Sequence, residues 1–199
     1  MPRNILLNPG PVNITEKVRQ AMTLPDLCHR EKEFSDLMVS IRGKLLQAFN
    51  IEEAFTSVLV SGSGTAALEM AVSSSLSSGR SMLVIENGVY GERISKLCDV
   101  YNFHYHSIKQ DWGIPPNLND IENKLKTQND IEVVSLVHHE TTTGLLNPLQ
   151  SVGELAKKYG KIFLVDCISS IAGDEIDFKF IDLAVGTANK CLQLSLIHI

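Results

Sequence analysis

The chain has 199 residues, of which 44% are hydrophobic and 21% charged, with a formal net charge of -5 at pH 7. This composition is typical of a globular protein with one sizeable core, and the acidic balance argues against a nucleic-acid or anionic-membrane surface. No apolar run approaches the roughly 20 residues of a membrane span. The four cysteines form no C-x-x-C pair, so we expect reduced thiols and a cytoplasmic location rather than disulfides or a metal site.

Hydrophobic periodicity predicts two helices first. One is short, near Thr15 to Met22, and the other is amphipathic, with apolar residues recurring at spacings of three and four from Phe34 to Phe49. Strands and helices then alternate. The predicted strands are 56–60, 81–86, 103–108, 131–139, 161–166 and 181–187, and the predicted helices between them are 65–76, 93–100, 119–127 and 152–160.

Continuous apolar strands separated by helices indicate an α/β fold, with a mainly parallel sheet covered by helices on both faces. In such sheets ligands bind beyond the carboxyl ends of the strands. The polar segments that follow the strands are therefore the candidate sites: "SGSGT" (61–65), "ENGVYGER" (86–93), "HHETTTG" (138–144), "DCISS" (166–170) and "GTANK" (186–190).

The segment "SGSGTAALE" (61–69) places a turn of small residues before a helix. The first-turn amides and the helix dipole favour an anion such as phosphate, and the hydroxyls of Ser63 and Thr65 add donors. Two alternatives stay open. The turn could be purely structural, or it could be a G-x-G-x-x-A dinucleotide fingerprint, with Glu86 at the end of the following strand as the ribose-binding acid.

Asp166 ends a buried strand, where an ionised carboxylate needs a partner because desolvation raises its proton affinity. The partner is either turn backbone or a protonated ring nitrogen; at about 3 Å and an effective dielectric near 20, the latter contact is worth roughly 5 kcal/mol. Lys190 follows the next strand, and its ordinary interpretation is a solvated strand-end residue. Together, an anion-binding turn, a buried acid and a lysine suit a cofactor with a phosphate, a pyridine ring and an aldehyde, which is pyridoxal 5′-phosphate.

Seven segments then occur in the order typical of one family, between Leu6 and Gln193. They are "LLNPGPVNI", "HREKEF", "GSGTAALE", "ENGVYGERI", "HHETTTGLLNP", "VDCISSIAGDEID" and "GTANKCLQ". In these segments the chain resembles the class V, fold type I aminotransferases, and within them the 2-aminoethylphosphonate–pyruvate transaminases. The resemblance implies the large domain of fold type I, with a seven-stranded-type sheet.

The resemblance also implies site residues. Lys190 would be the catalytic residue, binding the cofactor aldehyde and, once released, moving a proton between the substrate and cofactor carbons. The implied cofactor contacts are Ser63, Gly64 and Thr65 at the phosphate, Asp166 at the pyridinium nitrogen, Tyr90 as a loop-borne ring against the cofactor face, Thr141 near the ring, and Thr187 with Asn189 near the phosphate or the lysine. No metal is implied, and we interpret His138 and His139 as packing or loop residues.

The implied reaction in phosphonate catabolism converts 2-aminoethylphosphonate and pyruvate to phosphonoacetaldehyde and L-alanine. Nothing in the residues selects a phosphonate, so alanine–glyoxylate or serine–glyoxylate transaminases are alternatives within the family. A nicotinamide-dependent dehydrogenase and an inactive fragment are alternatives of other classes. The family's partners are small-molecule amines and keto acids, and its members are homodimers.

Family members continue beyond the lysine into a small C-terminal domain, which includes an arginine for the substrate carboxylate. Here the tail "LSLIHI" does not match that continuation, and our hypothesis is a truncation or read-through scar. We therefore divide the chain into an N-terminal arm (1–30), an incomplete cofactor-binding large domain (31–193) and a tail outside the family pattern (194–199). We expect weak or no transaminase activity and exposed apolar surface.

Overall fold

The structure is a computed structural model, and it describes residues 5–10 and 12–194. Residues 14–62 form one compact unit, and the other described residues form a second. The division into 1–30, 31–193 and 194–199 stays a prediction, and residues 195–199 of the tail lie outside the described residues. In the described ranges, no helix has the length and apolar character needed to cross a membrane.

The smaller unit contains two helices, α1 (Glu16–Ala21) and α2 (Lys32–Ala48), close to their predicted positions. The hydroxyl of Thr15 caps α1, because it accepts a hydrogen bond from the backbone amide of Val18. The periodicity of α2 predicts a buried apolar face, but no residue of α2 is buried, and Leu37 is 42% exposed. The apolar stripe of α2 is therefore only partly covered in the single chain.

The strand predicted at residues 56–60 is wrong: the structure has no regular element there, and Val58 is exposed. A strand needs a second strand to pair with its backbone. Among the described residues this segment has no partner strand, and the guanidinium of Arg42 binds it instead. The guanidinium donates hydrogen bonds to the carbonyl oxygen of Ser57 at 2.6 Å and to the hydroxyl of Thr56 at 3.0 Å. The β-branched composition of this segment was therefore not sufficient to make a strand.

The larger unit alternates strands and helices, as the periodicity predicts. In chain order its elements are α3 (Gly64–Ser75), β1 (Ser81–Glu86), α4 (Val89–Val100), β2 (His104–Lys109), α5 (Leu118–Thr127), β3 (Ile131–Val137), β4 (His139–Glu140), β5 (Leu145–Leu146), α6 (Leu149–Lys158), β6 (Ile162–Asp166), a 3-10 turn (Phe178–Phe180) and β7 (Leu183–Val185).

Five of these strands form one sheet in the order β2-β1-β3-β6-β7, and every neighbouring pair is parallel. The predicted parallel α/β fold is confirmed, although the described residues supply five strands to this sheet rather than seven. The strands β4 and β5 form a separate antiparallel hairpin. In register, Val137 pairs with Asp166, and Asp166 pairs with Val185, so β3, β6 and β7 end at the same edge.

Helices cover both faces of the sheet. Leu164 of β6 belongs to a buried cluster with Leu68 of α3 and Ile94 of α4. Successive strand residues point to opposite faces, so Phe163 faces the other way. On that side an added Cβ at Gly153 of α6 would lie 3.1 Å from the Phe163 ring. The helices α3 and α4 therefore cover one face, and α6 packs on the other.

The helices α4 and α6 begin three or more residues earlier than predicted, and the shift of α4 changes the site. The helix α4 begins at Val89, so Tyr90 lies in its first turn rather than on a loop. The helix α6 begins at Leu149, directly after Pro148. Pro148 is the N-cap of this helix, and a proline there has no amide hydrogen to leave unpaired.

Candidate active site

The candidate site lies at the edge of the sheet where the parallel strands end. Asp166 is the last residue of β6, and the neighbouring β7 ends at Val185, shortly before the turn that carries Lys190. Tyr90 follows β1, and Thr141 follows β3 through the short strand β4. Because the carboxyl ends of parallel strands share one edge, the loops and helix starts that carry these residues lie on one side of the sheet.

Asp166 is a buried carboxylate with one unpaired oxygen. Its Oδ1 accepts a hydrogen bond from the amide of Ile168 at 2.9 Å, whereas Oδ2 is buried and has no partner among the described residues. Burial raises the pKa of Asp166 to about 6; the Ile168 bond lowers it, the charge of Glu140 raises it and the charge of Arg93 lowers it. A buried acceptor without a donor is destabilising, so Oδ2 is suited to a donor carried by a ligand.

The start of α3 carries two hydroxyls suited to an anion. Ser63 caps the helix, and its Oγ accepts a hydrogen bond from the amide of Ala66 at 3.3 Å. The Oγ1 of Thr65 accepts a hydrogen bond from Nη1 of Arg93 at 3.0 Å. In both residues the hydroxyl hydrogen stays available to donate. With the first-turn amides of α3, these groups match what a phosphate binds.

Gly64 allows the start of α3 to approach the loop that follows Asp166. An added Cβ at Gly64 would lie 2.9 Å from Cδ1 of Ile168, closer than carbon atoms pack without strain. The amide of the same Ile168 binds Asp166. The start of α3 and the buried carboxylate therefore contact one residue, and a larger side chain at position 64 would push them apart.

Tyr90, partly buried in the first turn of α4, lies against a charged side chain that sequence reasoning missed. The guanidinium carbon of Arg93 is 4.5 Å from the centroid of the Tyr90 ring, which is the geometry of a cation–π contact. Because Arg93 also binds Thr65, it links the starts of α3 and α4. The spacing of three residues in "YGER" is the signal that could have predicted the contact.

Sequence reasoning also missed Glu140, whose side chain is fully buried. Its Oε2 accepts a hydrogen bond from the amide of Gly91 at 3.2 Å, and its Oε1 accepts from the amide and hydroxyl of Thr142 at 3.1 and 2.7 Å. The carboxylate thereby caps the N-terminus of α4, where negative charge is favourable. An added Cβ at Gly88 would overlap this carboxylate. A carboxylate at the end of an apolar strand was the available signal.

The two adjacent histidines contact the loop that follows β6. His138 is buried with its Nδ1 3.0 Å from the hydroxyl of Ser170, and burial lowers the pKa of His138. The Nδ1 of His139 lies 2.7 Å from Oδ2 of Asp174. In the part of the chain that the structure describes, no cluster of His, Cys, Asp or Glu side chains could hold a metal ion.

The side chain of Lys190 lies against the N-terminal segment. Its amine donates a hydrogen bond to the carbonyl oxygen of Pro9 at 2.9 Å. Thr141 is partly buried in the turn between β4 and β5. Among the hydrogen bonds of the described residues, none joins Lys190 or Thr141 to Asp166, so the structure places these residues at one edge without linking them directly.

The turn around Lys190 packs on the loop after β6. The Sγ of Cys191 lies 3.6 Å from the carbonyl oxygen of Ser169, and an added Cβ at Gly186 would lie 3.0 Å from Cδ1 of Ile171. Within the turn, the hydroxyl of Thr187 donates to Oδ1 of Asn189 at 2.5 Å. The loops after β6 and β7 are thus held together next to Asp166.

Comparison with known families decides between the alternatives. The family model described as aminotransferase class V matches residues 16–192. This chain belongs to the class V aminotransferases. The cofactor of this family is pyridoxal 5′-phosphate. The nicotinamide alternative has no support, since the carboxylate of Glu86 instead accepts a hydrogen bond from Ser95 at 2.6 Å and lies 3.5 Å from the amine of Lys109.

Three similar proteins carry the names of transaminases or aminotransferases. The bifunctional phosphonoacetaldehyde hydrolase/aminoethylphosphonate transaminase of Clostridioides difficile is 43% identical over 95% of this chain and 30% of its own length. The 2-aminoethylphosphonate–pyruvate transaminase of Vibrio vulnificus is 39% identical over 95% of this chain and 52% of its own length. The crystal structure of an alanine–glyoxylate aminotransferase from Nostoc sp. superposes with a TM-score of 0.88 at 32% identity, covering 98% of this chain and 52% of that one. The chain thus spans at most about half the length of these relatives.

The residues at this edge fit pyridoxal phosphate. The unpaired Oδ2 of Asp166 matches a ring N–H, and the hydroxyls at the start of α3 match a phosphate. The close approach of Gly64 to Ile168 brings these two features together. These observations concern this chain itself and do not depend on the family match.

Proposed function

We propose that this chain is the cofactor-binding part of a pyridoxal phosphate-dependent aminotransferase that moves the amino group of 2-aminoethylphosphonate to pyruvate, giving phosphonoacetaldehyde and L-alanine. The observation that carries the proposal is the buried, unpaired Oδ2 of Asp166, one strand away from the turn that presents Lys190. The names of the relatives from Clostridioides difficile and Vibrio vulnificus support the substrate assignment.

Each predicted site residue has a role in this proposal. When bound, pyridoxal phosphate supplies an electron sink for charge that develops on the substrate carbon. Asp166 would accept a hydrogen bond from the ring N–H, which would keep that nitrogen protonated and give the buried Oδ2 the donor that it lacks. Ser63, Gly64 and Thr65 would hold the phosphate, Tyr90 would lie against the ring face, Thr141 would lie near the ring, and Thr187 would hydrogen-bond the phosphate or the loop of the lysine.

Lys190 acts as nucleophile and as proton carrier. Its amine is the group that would hold the aldehyde of the cofactor. When not bound to the cofactor, its Nζ would accept and return the proton that leaves the substrate carbon. In the structure this amine is held by one hydrogen bond, which it donates to the carbonyl oxygen of Pro9 at 2.9 Å.

The chain itself provides a sharp test of cofactor binding. Titration with pyridoxal phosphate should produce a visible absorbance band in the wild-type chain, and Lys190→Ala should abolish it. Lys161→Ala is the matched control, because the Lys161 amine also donates to a backbone carbonyl, that of Ile131, at 2.7 Å. A band of equal strength in Lys190→Ala would refute the assignment of the lysine.

The substrate assignment is tested on the loaded chain by adding one amine at a time. Loss of the visible band within a single turnover reports amino transfer without requiring fast release of product. We expect 2-aminoethylphosphonate to discharge the band faster than L-alanine or L-serine. The alternative is an alanine–glyoxylate or serine–glyoxylate enzyme, favoured by the likeness to the Nostoc structure, and it predicts the reverse order.

The cellular setting belongs to the same proposal. All four cysteines are free, and two of them, Cys98 and Cys167, are buried, which supports a reducing, cytoplasmic compartment. The exposed apolar residues of α2, including Leu37 and Val39, support association of the whole protein as a homodimer. Sedimentation of the purified protein at several concentrations tests this, and a monomer at all concentrations would refute it.

A further inference from the structure

Arg93 contacts two predicted cofactor ligands that lie on different helices. From α4 its guanidinium carbon lies 4.5 Å from the centroid of the Tyr90 ring, and its Nη1 donates to Thr65 of α3 at 3.0 Å. A guanidinium is a planar group that can stack on an aromatic ring and still donate hydrogen bonds at its edge. One side chain therefore fixes the position of the ring relative to the hydroxyl.

The charge of Arg93 is not used in an ion pair. Among the ion pairs of the described residues, none includes Arg93, although the side chain is partly buried. An arginine without a role in the site could instead form an ion pair with an exposed carboxylate, as Lys32 does with Asp36. The contacts with Tyr90 and Thr65 hold its guanidinium in place, and its charge also acts on Asp166, whose pKa it lowers.

The hydrogen bond from Arg93 also sets the direction of the Thr65 hydroxyl. A threonine hydroxyl has one hydrogen to donate and two lone pairs that accept. Because Arg93 has only hydrogens to offer, it occupies a lone pair of Oγ1, and the hydroxyl hydrogen must point elsewhere. A hydroxyl held as a donor at the start of α3 is the orientation that an anionic phosphate needs.

We propose that Arg93 is a positioning residue of the cofactor site, which holds the Tyr90 ring in place and keeps the Thr65 hydroxyl oriented as a donor. This inference rests on the proposed function, because the phosphate and the ring that it serves are those of pyridoxal phosphate. It adds a residue that itself contacts neither the substrate nor the reacting atoms. Its effect passes through Thr65 and Tyr90.

The test compares Arg93→Gln with Lys96→Gln in the full chain. Lys96 is an exposed residue of the same helix, so its substitution removes the same charge without either contact. We expect Arg93→Gln to weaken pyridoxal phosphate binding about tenfold, the loss typical of one charge-assisted hydrogen bond. We also expect it to reduce the visible circular dichroism of the bound cofactor, whereas Lys96→Gln should leave both unchanged.

A double-mutant cycle with Thr65→Val identifies the route of the effect. If Arg93 acts through the hydroxyl, Arg93→Gln should weaken binding much less in a Thr65→Val background than in the wild type. Equal, additive losses would contradict that route. If Arg93→Gln does not fold, Arg93→Lys decides the question: wild-type affinity and dichroism in that variant would overturn the proposal, since lysine cannot make both contacts.

The outcomes separate this inference from the function on which it rests. A wild-type chain that binds pyridoxal phosphate through Lys190, with Arg93→Gln equal to Lys96→Gln, overturns the role of Arg93 alone. A wild-type chain that takes up no pyridoxal phosphate overturns both.

Discussion

The amine of Lys190 donates a hydrogen bond to the carbonyl oxygen of Pro9, although the two residues are 181 positions apart in the chain. The approach depends on Gly10, which has a φ of 147° and at which an added Cβ would overlap the Lys190 amine. A hydrogen bond of 2.8 Å between the amide of Leu6 and the side chain of Asn13 braces the same segment. The N-terminal segment therefore helps to fix the position of the Lys190 amine.

We therefore expect Gly10→Ala to displace the Lys190 amine and to slow its reaction with pyridoxal phosphate. The flexible end of the lysine yields to the new methyl group, while the unfavourable φ destabilises the fold by about 1 kcal/mol. The rate is measured from the appearance of the visible absorbance band. Gly160→Ala is the control, because Gly160 also has a positive φ, of 62°, but no atom lies within 4 Å of an added Cβ. Gly160→Ala should lose a similar amount of stability and react with pyridoxal phosphate at the wild-type rate. If Gly10→Ala also reacted at the wild-type rate, the contact between the N-terminal segment and Lys190 would have no role in the reaction.

Asp166→Asn should stabilise the cofactor-free chain at pH 8 while weakening cofactor binding. Burial raises the pKa of Asp166 from its ordinary 3.8 to about 6. Burial of the ionised carboxylate therefore lowers the free energy of unfolding above about pH 6. This loss of stability disappears as the pH falls from about 6 to about 4. The whole shift of the pKa corresponds to at most about 3 kcal/mol in the free energy of unfolding. Urea denaturation of both chains at pH 8, 6 and 4 should show the advantage of the asparagine shrinking on acidification.

Asp130 provides the opposite case for the same measurement. The hydrogen bond with His106 lowers the pKa of Asp130 to about 2, so its ionised form favours the folded state. Asp130→Asn should therefore lose stability at pH 8. If Asp166→Asn also proved less stable than the wild type at pH 8, the carboxylate would not be an unpaired buried charge in solution.

The sequence predicts those parts of this molecule that depend on local pattern. Continuous apolar runs indicate β1, β3 and β6, which are buried on both faces, and Asp166 stands out because it ends such a run. The strand at 56–60 failed because side-chain composition says nothing about a pairing partner. Tyr90 was predicted on a loop because it lies between two glycines, Gly88 and Gly91, but the capping carboxylate of Glu140 stabilises the first turn of α4.

Glu140 and Arg93 were missed for a related reason. Glu140 acts on Gly91 from 49 positions away, and Arg93 acts on Thr65 from 28 positions away. No periodicity brings such segments together before the order of the strands is known. The family resemblance supplied the residues expected at the cofactor, but not the side chains that hold those residues in place.

Glu140→Gln should destabilise the chain by about 1–3 kcal/mol, the range for a buried polar group that loses its partner. The amide keeps the shape of the side chain, but its NH2 group takes the place of one of the two oxygens, so either Gly91 or Thr142 loses its acceptor. Urea denaturation gives the free energy of unfolding, and hydrogen exchange should report faster opening at Gly91. Glu154→Gln on the exposed face of α6 is the control, and it should change stability by less than about 0.5 kcal/mol. Equal effects of the two substitutions would contradict the capping role.

The thiols should fall into two classes of reactivity, since reaction requires an accessible thiolate. Cys98 and Cys167 are fully buried, and burial raises their pKa to about 11 and about 12. Cys28 and Cys191 are exposed, so a thiol reagent at pH 8 should modify these two rapidly in the native chain and all four in urea. Because Cys191 adjoins Lys190, pyridoxal phosphate should slow its modification and leave that of Cys28 unchanged, as mass spectrometry of the labelled peptides would show. If Cys167 were labelled rapidly in the native chain, the loop beside Asp166 would open readily. The Asp166 carboxylate would then not be stably buried in solution.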